Sequence, residues 1–190
     1  MYKAIIFDCF DVLVSNGLPL FISKYLNDNQ VIQNSILLFE ESLNAGRIDY
    51  ETFLLKIAEI CNVSVDEARR VLDDNEPDIE LFNYIAKKLK PSFKLGMLSN
   101  AGDDWLDEMM GGDRKSLFDV IVLSYQVGFI KPQPEIYRLT AKRLEVETNE
   151  CIMIDDNEKY CDGAKKVGMQ TIQYKSFTQM MHELDVLLAK

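Results

Sequence analysis

A run of four apolar residues near the N-terminus, Ala4-Ile5-Ile6-Phe7, stops at a carboxylate, Asp8. Unbroken apolar character suits a strand buried on both faces, and such strands belong to parallel sheets held between helices. An aspartate where the strand ends falls at the carboxyl edge of the sheet, where open α/β sheets bind ligands. There it serves as a nucleophile or a metal ligand, or it punctuates a turn, a common use of Asp. The rest of the chain decides between these.

Residues 16–75 read as helices without strands. Residues 19–27 carry Leu20, Phe21, Ile22, Tyr25 and Leu26 at helical spacing, and 31–44 carry Ile32, Ile36, Leu37, Phe39 and Leu43. Asp49 is a predicted N-cap for the stripe Phe53, Leu54, Ile57, Ala58, Ile60. Ser64 with Glu67 spells a capping box that opens a short helix through Val71. This is a helical insertion after the first strand.

From Glu76 the pattern alternates. Helices are expected at 78–90, 103–110, 134–144, 159–167 and 177–188, and strands at 93–98, 120–123, 151–154 and 171–174. Gly111-Gly112 reads as a loop, and Gly168 as the close of a helix. Strands alternating with helices give an α/β fold with a parallel sheet covered on both faces.

Charge and cysteine usage narrow the functional classes. The formal net charge of −10 disfavours nonspecific nucleic-acid binding, because phosphates are repelled. No apolar stretch is long enough to span a membrane, and the first apolar run breaks at Asp8. Cys9, Cys61, Cys151 and Cys161 form no CxxC pair, which fits free thiols in a reducing cytoplasm.

Three predicted strand ends carry polar residues: Asp8; Ser99-Asn100-Ala101-Gly102; and Asp155-Asp156-Asn157. In a parallel sheet these ends share one edge and converge despite their separation in sequence. Clustered carboxylates make a site for a hard cation such as magnesium. Ser99 offers a hydroxyl to an oxyanion, and Lys131, after the third strand, brings a positive charge that can orient a nucleophile.

These residues carry a resemblance. The chain resembles the haloacid dehalogenase (HAD) superfamily of hydrolases, most like its small phosphatase-like members with a helical cap. The first motif is Ile5-Ile6-Phe7-Asp8, and the second Leu98-Ser99-Asn100. The third spans 128–137 around Lys131-Pro132, and the fourth is Met153-Ile154-Asp155-Asp156-Asn157, followed by Gly163-Ala164 and Gly168-Met169. Each motif alone is weak, but their order and the cap-sized gap between the first two are specific. The resemblance implies a Rossmann-like sheet of strand order 5-4-1-2-3, formed by residues 1–15 and 76–190, with 16–75 as the cap. It implies Asp8 as the nucleophile that becomes an aspartyl-phosphate, Ser99 and Asn100 on the phosphate, and Lys131 as the stabilising cation. Magnesium would be held by Asp8, Asp156, Asp155 and the Phe10 main-chain carbonyl. The substrate class implied is a small phosphorylated metabolite; the oligomeric state stays open.

One position departs from the pattern. Phosphatases of this family usually carry a second Asp two residues after the first, and it protonates the leaving oxygen. Here Phe10 stands there, and Asp11 follows where the family often has Gly. Loss of a positioned acid costs typically ~10²–10⁴-fold. Asp11 reads as a solvated turn residue, since a shift of one position in an extended segment reverses a side chain; a bend after Phe10 would change that. Two alternatives follow: a 2-haloacid dehalogenase, which needs no such acid, and a degenerate domain that binds a ligand or a protein without turnover. Asp155-Asp156 argues against the first, because two carboxylates repel an anionic haloacid.

Other residues have plainer readings. His182 is expected on the surface, Arg47 in a solvated loop, and 73–76 as a solvated hinge. Trp105, Tyr137 and Tyr160 are expected to pack, and Cys9 to be buried and inert.

Overall fold

The computed structural model describes residues 1–26, 29–103 and 105–189. Asn27 and Asp104, which fall in expected helices, lie outside the described residues. Five parallel strands form one sheet in the order β3-β2-β1-β4-β5. They are β1 Ala4–Phe7, β2 Lys94–Ser99, β3 Val120–Leu123, β4 Cys151–Asp155 and β5 Gln170–Gln173. This is the expected order 5-4-1-2-3.

Strand alternation sorts the core into two layers. Ile5, Phe7, Leu95, Met97, Ile152 and Ile154 face α5 (Ile79–Tyr84) and α10 (Phe177–Leu188), which contribute Leu81, Phe82, Met180 and Leu184. Ala4, Ile6, Leu98, Cys151 and Met153 face α8 (Pro134–Arg143) and α9 (Glu158–Lys166) through Ile136, Tyr137, Ala141 and Ala164. Both faces of the sheet are therefore dry, as the unbroken apolar run of β1 requires.

Helices α1 (Gly17–Tyr25), α2 (Gln30–Asn44), α3 (Tyr50–Cys61) and α4 (Val65–Leu72) share a third apolar cluster, from Leu18 to Leu72, apart from the two against the sheet. Each opens on a side-chain cap: Asn16, Asn29, Asp49 and Ser64 accept from main-chain N–H groups one turn on. Half of the expected capping box is present. Ser64 Oγ accepts from the Glu67 N–H at 3.1 Å, while the Glu67 carboxylate turns to Tyr25, Lys24 and Arg70.

The two chain crossings between these helices and the sheet are tied together. Ser15 N–H donates to Glu76 O at 2.9 Å, and Glu76 N–H to Ser15 Oγ at 2.8 Å. Gly17 N–H donates to Asn75 Oδ1 at 2.9 Å. A Cβ on Gly17 would stand 2.4 Å from Val71 O, so the crossing demands glycine. Residues 73–76 are solvated as expected, with Asp73, Asp74 and Glu76 exposed, and are also tied down by hydrogen bonds; Asp73 accepts from the Tyr50 hydroxyl.

Three local expectations shift. The helix expected at 78–90 is α-helical only through Tyr84 and continues as a π-helical turn, Ile85–Leu89. The helix expected at 103–110 is α6, Leu106–Lys115, which runs through the expected Gly111-Gly112 loop with a kink. Gly111 takes φ 72°, which lets two helical pieces join without a loop. A single turn after β3, α7 (Ser124–Val127), was not expected, since four residues are too few for a periodic signal.

Candidate active site

The carboxyl ends of the strands open into a cleft of about 720 Å³, roofed by α2 and by parts of α1, α3 and α4. At its floor β1 passes into Asp8, whose N–H donates to Ile154 O at 2.9 Å and so continues the ladder with β4 by one residue. Register therefore places Asp8 beside Asp155, the last residue of β4.

Lys131 binds both. Its Nζ lies 2.7 Å from Asp8 Oδ1 and 2.7 Å from Asp155 Oδ2, and all three groups are buried. Burying an ammonium is tolerable only when it is paired, and here two carboxylates pair it. Burial alone would lower the Lys131 ammonium, but Asp155 and Asp8 outweigh it and hold it raised. Asp8 is pushed up to about 8, by burial first and by the Asp155 charge second, against the pull of Lys131.

Asp156 is half-buried and lines the cleft. Burial, then Asp155 and Asp11, push its carboxyl up to about 6. Ligand oxygens of Asp8, Asp155 and Asp156 lie within 4.8 Å of one another. Three carboxyl groups crowded around one ammonium repel one another, which helps raise Asp8 and Asp156, and a divalent cation there would relieve that repulsion. The donor set is all oxygen, as a hard cation requires.

Ser99, at the end of β2, is fully buried, and its hydroxyl has no hydrogen-bond partner among the described residues. An unpaired buried hydroxyl costs roughly 1–3 kcal/mol, which a ligand oxygen would recover. Asn100, expected on the phosphate, lines the cleft and also grips the main chain of Lys131. The Lys131 N–H donates to Asn100 Oδ1 at 2.7 Å, and Asn100 Nδ2 donates to Lys131 O at 3.2 Å. This reciprocal pair fixes the residue whose ammonium joins Asp8 to Asp155.

Phe10 lines the cleft and packs against Trp105, with ring centroids 4.7 Å apart. Trp105 thus both packs and borders the opening. Asp11 takes φ 59°, the left-handed conformation that explains why glycine suits this position. Asp11 is exposed, and at the border of the cleft its Oδ2 accepts from Asn16 Nδ2 at 3.0 Å. Asp11 is thus a solvated turn residue, as expected, that also borders the cleft.

Tyr160 was expected to pack, yet it lines the cleft with its ring 4.8 Å from Lys131 Nζ. Its place in the first turn of α9, four residues after Asp156, was the available signal. Tyr137 is packed as expected, with its hydroxyl donating to Tyr160 O at 2.8 Å. Cys9 is buried, and burial first and the Asp8 charge second push its thiol well up. All four cysteines are free thiols, Arg47 and His182 are exposed, and no described helix is long and apolar enough to cross a membrane.

The site is thus a buried Asp–Lys–Asp bridge with a further carboxylate at the carboxyl edge of a parallel sheet. Residues 2–168 match the haloacid dehalogenase-like hydrolase family, and the chain belongs to it. It is 27% identical over 208 aligned positions to a D-ribitol-5-phosphate phosphatase of Bacteroides thetaiotaomicron, covering 99% of each chain. It is 34% identical over 112 positions to a phosphorylated carbohydrates phosphatase of Thermotoga maritima, covering 56% of this chain and 50% of that one. A solved HAD-family enzyme of B. thetaiotaomicron, in complex with magnesium and inorganic phosphate, superposes with a TM-score of 0.74 at 21% identity, covering 93% of this chain and 96% of the other.

Proposed function

We propose that this hydrolase is a magnesium-dependent phosphatase of small phosphorylated metabolites, with 1–15 and 76–190 as its catalytic core and 16–75 as a cap. The carrying observation is the set of three carboxylates within 4.8 Å, bridged by one buried lysine. The named activities of its relatives support phosphate monoesters of carbohydrates or polyols as substrates.

In this reading Asp8 attacks phosphorus. The new bond joins its carboxylate oxygen to the phosphoryl group, the ester oxygen leaves with the alcohol, and water then hydrolyses the aspartyl-phosphate to free phosphate. Lys131 holds Asp8 in place and offsets charge on the phosphoryl oxygens. The Ser99 hydroxyl gains its missing partner from one of those oxygens. Asn100 acts as a positioning residue through the Lys131 main chain. Asp8, Asp156 and the Phe10 carbonyl would hold magnesium, with Asp155 behind them, and the ion supplies neutralisation of phosphoryl charge.

Phe10 stands where a leaving-group acid is usual, so turnover favours esters of good leaving groups. A second reading rests on the bend at Asp11: its carboxyl group borders the cleft and, in the acid form, gives its proton to the leaving oxygen and is left as the carboxylate. Free thiols and an acidic surface support a cytoplasmic enzyme without nucleic-acid or membrane partners.

The test is hydrolysis of p-nitrophenyl phosphate with magnesium and with a chelator. Magnesium-dependent release that disappears in folded Asp8→Asn supports the proposal. A 2-haloacid that releases halide without metal would instead establish the dehalogenase. No turnover of either, with phosphate still binding, would mark a degenerate binding domain.

A further inference from the structure

We propose that Glu40 and Asn44 form a hydroxyl-reading subsite that selects phosphate esters of neutral polyols and disfavours leaving groups with a second anion. The inference rests on the phosphatase reading and specifies its substrate class. Glu40 and Asn44 stand four residues apart on α2, so they share a face, and both line the cleft. That face borders the cleft that Tyr160 and Lys131 also line, with the Tyr160 ring 4.8 Å from Lys131 Nζ. The subsite therefore opens onto the same cleft as Asp8 and Lys131.

Neither side chain trails in solvent. Glu40 is half-buried and hydrogen-bonded to Asn44, and burial raises its carboxyl. The end of α2 is clamped to the core. The Ser124 hydroxyl is within hydrogen-bond reach of Asn44 O and accepts from Ala101 N–H at 2.9 Å. Gly102 admits the Leu43 side chain so closely that a Cβ there would fall 2.1 Å from Leu43 Cγ. The same loop that follows Ser99 thus sets the height of Glu40 and Asn44 over the floor.

A carboxylate accepts from hydroxyls, while a carboxamide both donates and accepts, so the pair matches neighbouring alcohols that do both. An ester lacking those hydroxyls displaces water from the pair without replacing its hydrogen bonds, which gives discrimination. Charge points the same way. Glu41 and Asp73 line the cleft beside Glu40, and Lys159 is the one cation there besides Lys131 among the described residues. A carboxylate or second phosphate on the leaving group meets repulsion in a partly desolvated space.

The experiment compares kcat/KM of the magnesium-loaded full chain for three esters of equal length: a pentitol 5-phosphate, pentyl phosphate, and the aldonic acid 5-phosphate. The expected preference for the pentitol ester is about 10-fold or more over each of the others. Glu40→Leu should bring the pentitol-to-pentyl ratio close to one, and Asn44→Ala should lower it. Glu40→Gln, which keeps hydrogen bonding but removes charge, should keep most of that ratio and relax the exclusion of the aldonate. Equal turnover of all three esters by the wild type, or ratios that survive in folded Glu40→Leu and Asn44→Ala, overturns the subsite while leaving the phosphatase intact. Absence of turnover on these esters and on p-nitrophenyl phosphate overturns the phosphatase reading and the subsite with it.

Discussion

The floor and the roof of the cleft are built by different physics. At the floor, Asp8, Asp155 and Lys131 are buried, and each charge is placed by a strand end or by a main-chain clamp. At the roof, α1–α4 hold together through one apolar cluster and surface ion pairs such as Arg69 with Glu51, while Val31, Leu38 and Leu55 stay exposed. Moving a floor group strands a charge in a dry interior; moving one of the roof's surface ion pairs exchanges one solvated contact for another. The floor is therefore suited to invariant chemistry, and the roof to variable selection of the leaving group.

The sharpest test of that contrast removes the central ammonium. Lys131→Ala leaves Asp8 and Asp155 buried without a counter-charge, and a loss of about 3–5 kcal/mol in urea denaturation is expected, together with loss of turnover. A variant as stable as the wild type would mean that the floor is wetter than its burial indicates.

Next comes the proton. If Phe10 occupies the acid position, Phe10→Asp should raise turnover of alkyl phosphates by about 10²-fold and of p-nitrophenyl phosphate far less, because an alkoxide needs the proton and p-nitrophenolate does not. Loss of the ring contact with Trp105 will cost some stability, so rates belong to protein shown folded. Asp11→Gly relieves the left-handed strain and should leave turnover nearly unchanged. Turnover abolished by Asp11→Gly, with no gain from Phe10→Asp, would assign the acid to Asp11.

A smaller effect is expected from pH. In chelator, burial and the Asp155 charge hold the folded-state Asp8 carboxyl raised to about 8 from the ordinary 3.8. Folding therefore takes up a proton between those values, and this contribution to stability declines as pH rises through that window. Asp156, raised to about 6, adds to the same slope. Urea midpoints at pH 5 and pH 8 should differ less in Asp8→Asn than in the wild type, and magnesium should restore the wild type most at pH 8. An identical slope in both proteins would remove Asp8 as its source.

The roof should show the smallest response. Arg69→Ala breaks contacts of 2.6 and 2.7 Å to Glu51, yet both side chains are solvated, and Tm should move by less than about 2 °C. A shift comparable to that of Lys131→Ala would erase the distinction between roof and floor.

Much of this arrangement is legible in the amino-acid order because its signals are local. The unbroken run of β1, the apolar stripes of α2 and α3, and the caps at Asp49 and Ser64 each depend on a few neighbouring residues. The strand order follows once the chain is seen to resemble a known family, and Asp8, Ser99 and Asp155 then fall at one edge because parallel strands end together. The sequence could not tell where each side chain turns after its strand ends. Asn100 clasps the Lys131 main chain because two distant loops meet at that distance. Asp11 borders the cleft at a positive φ, which no periodicity encodes. Tyr160 and Glu40 border the cleft because α9 starts at the sheet edge and α2 is seated on Gly102 and Ser124. Composition and spacing determined which charges the chain can bring to the sheet edge; long-range packing decided which of them face the substrate and which hold one another.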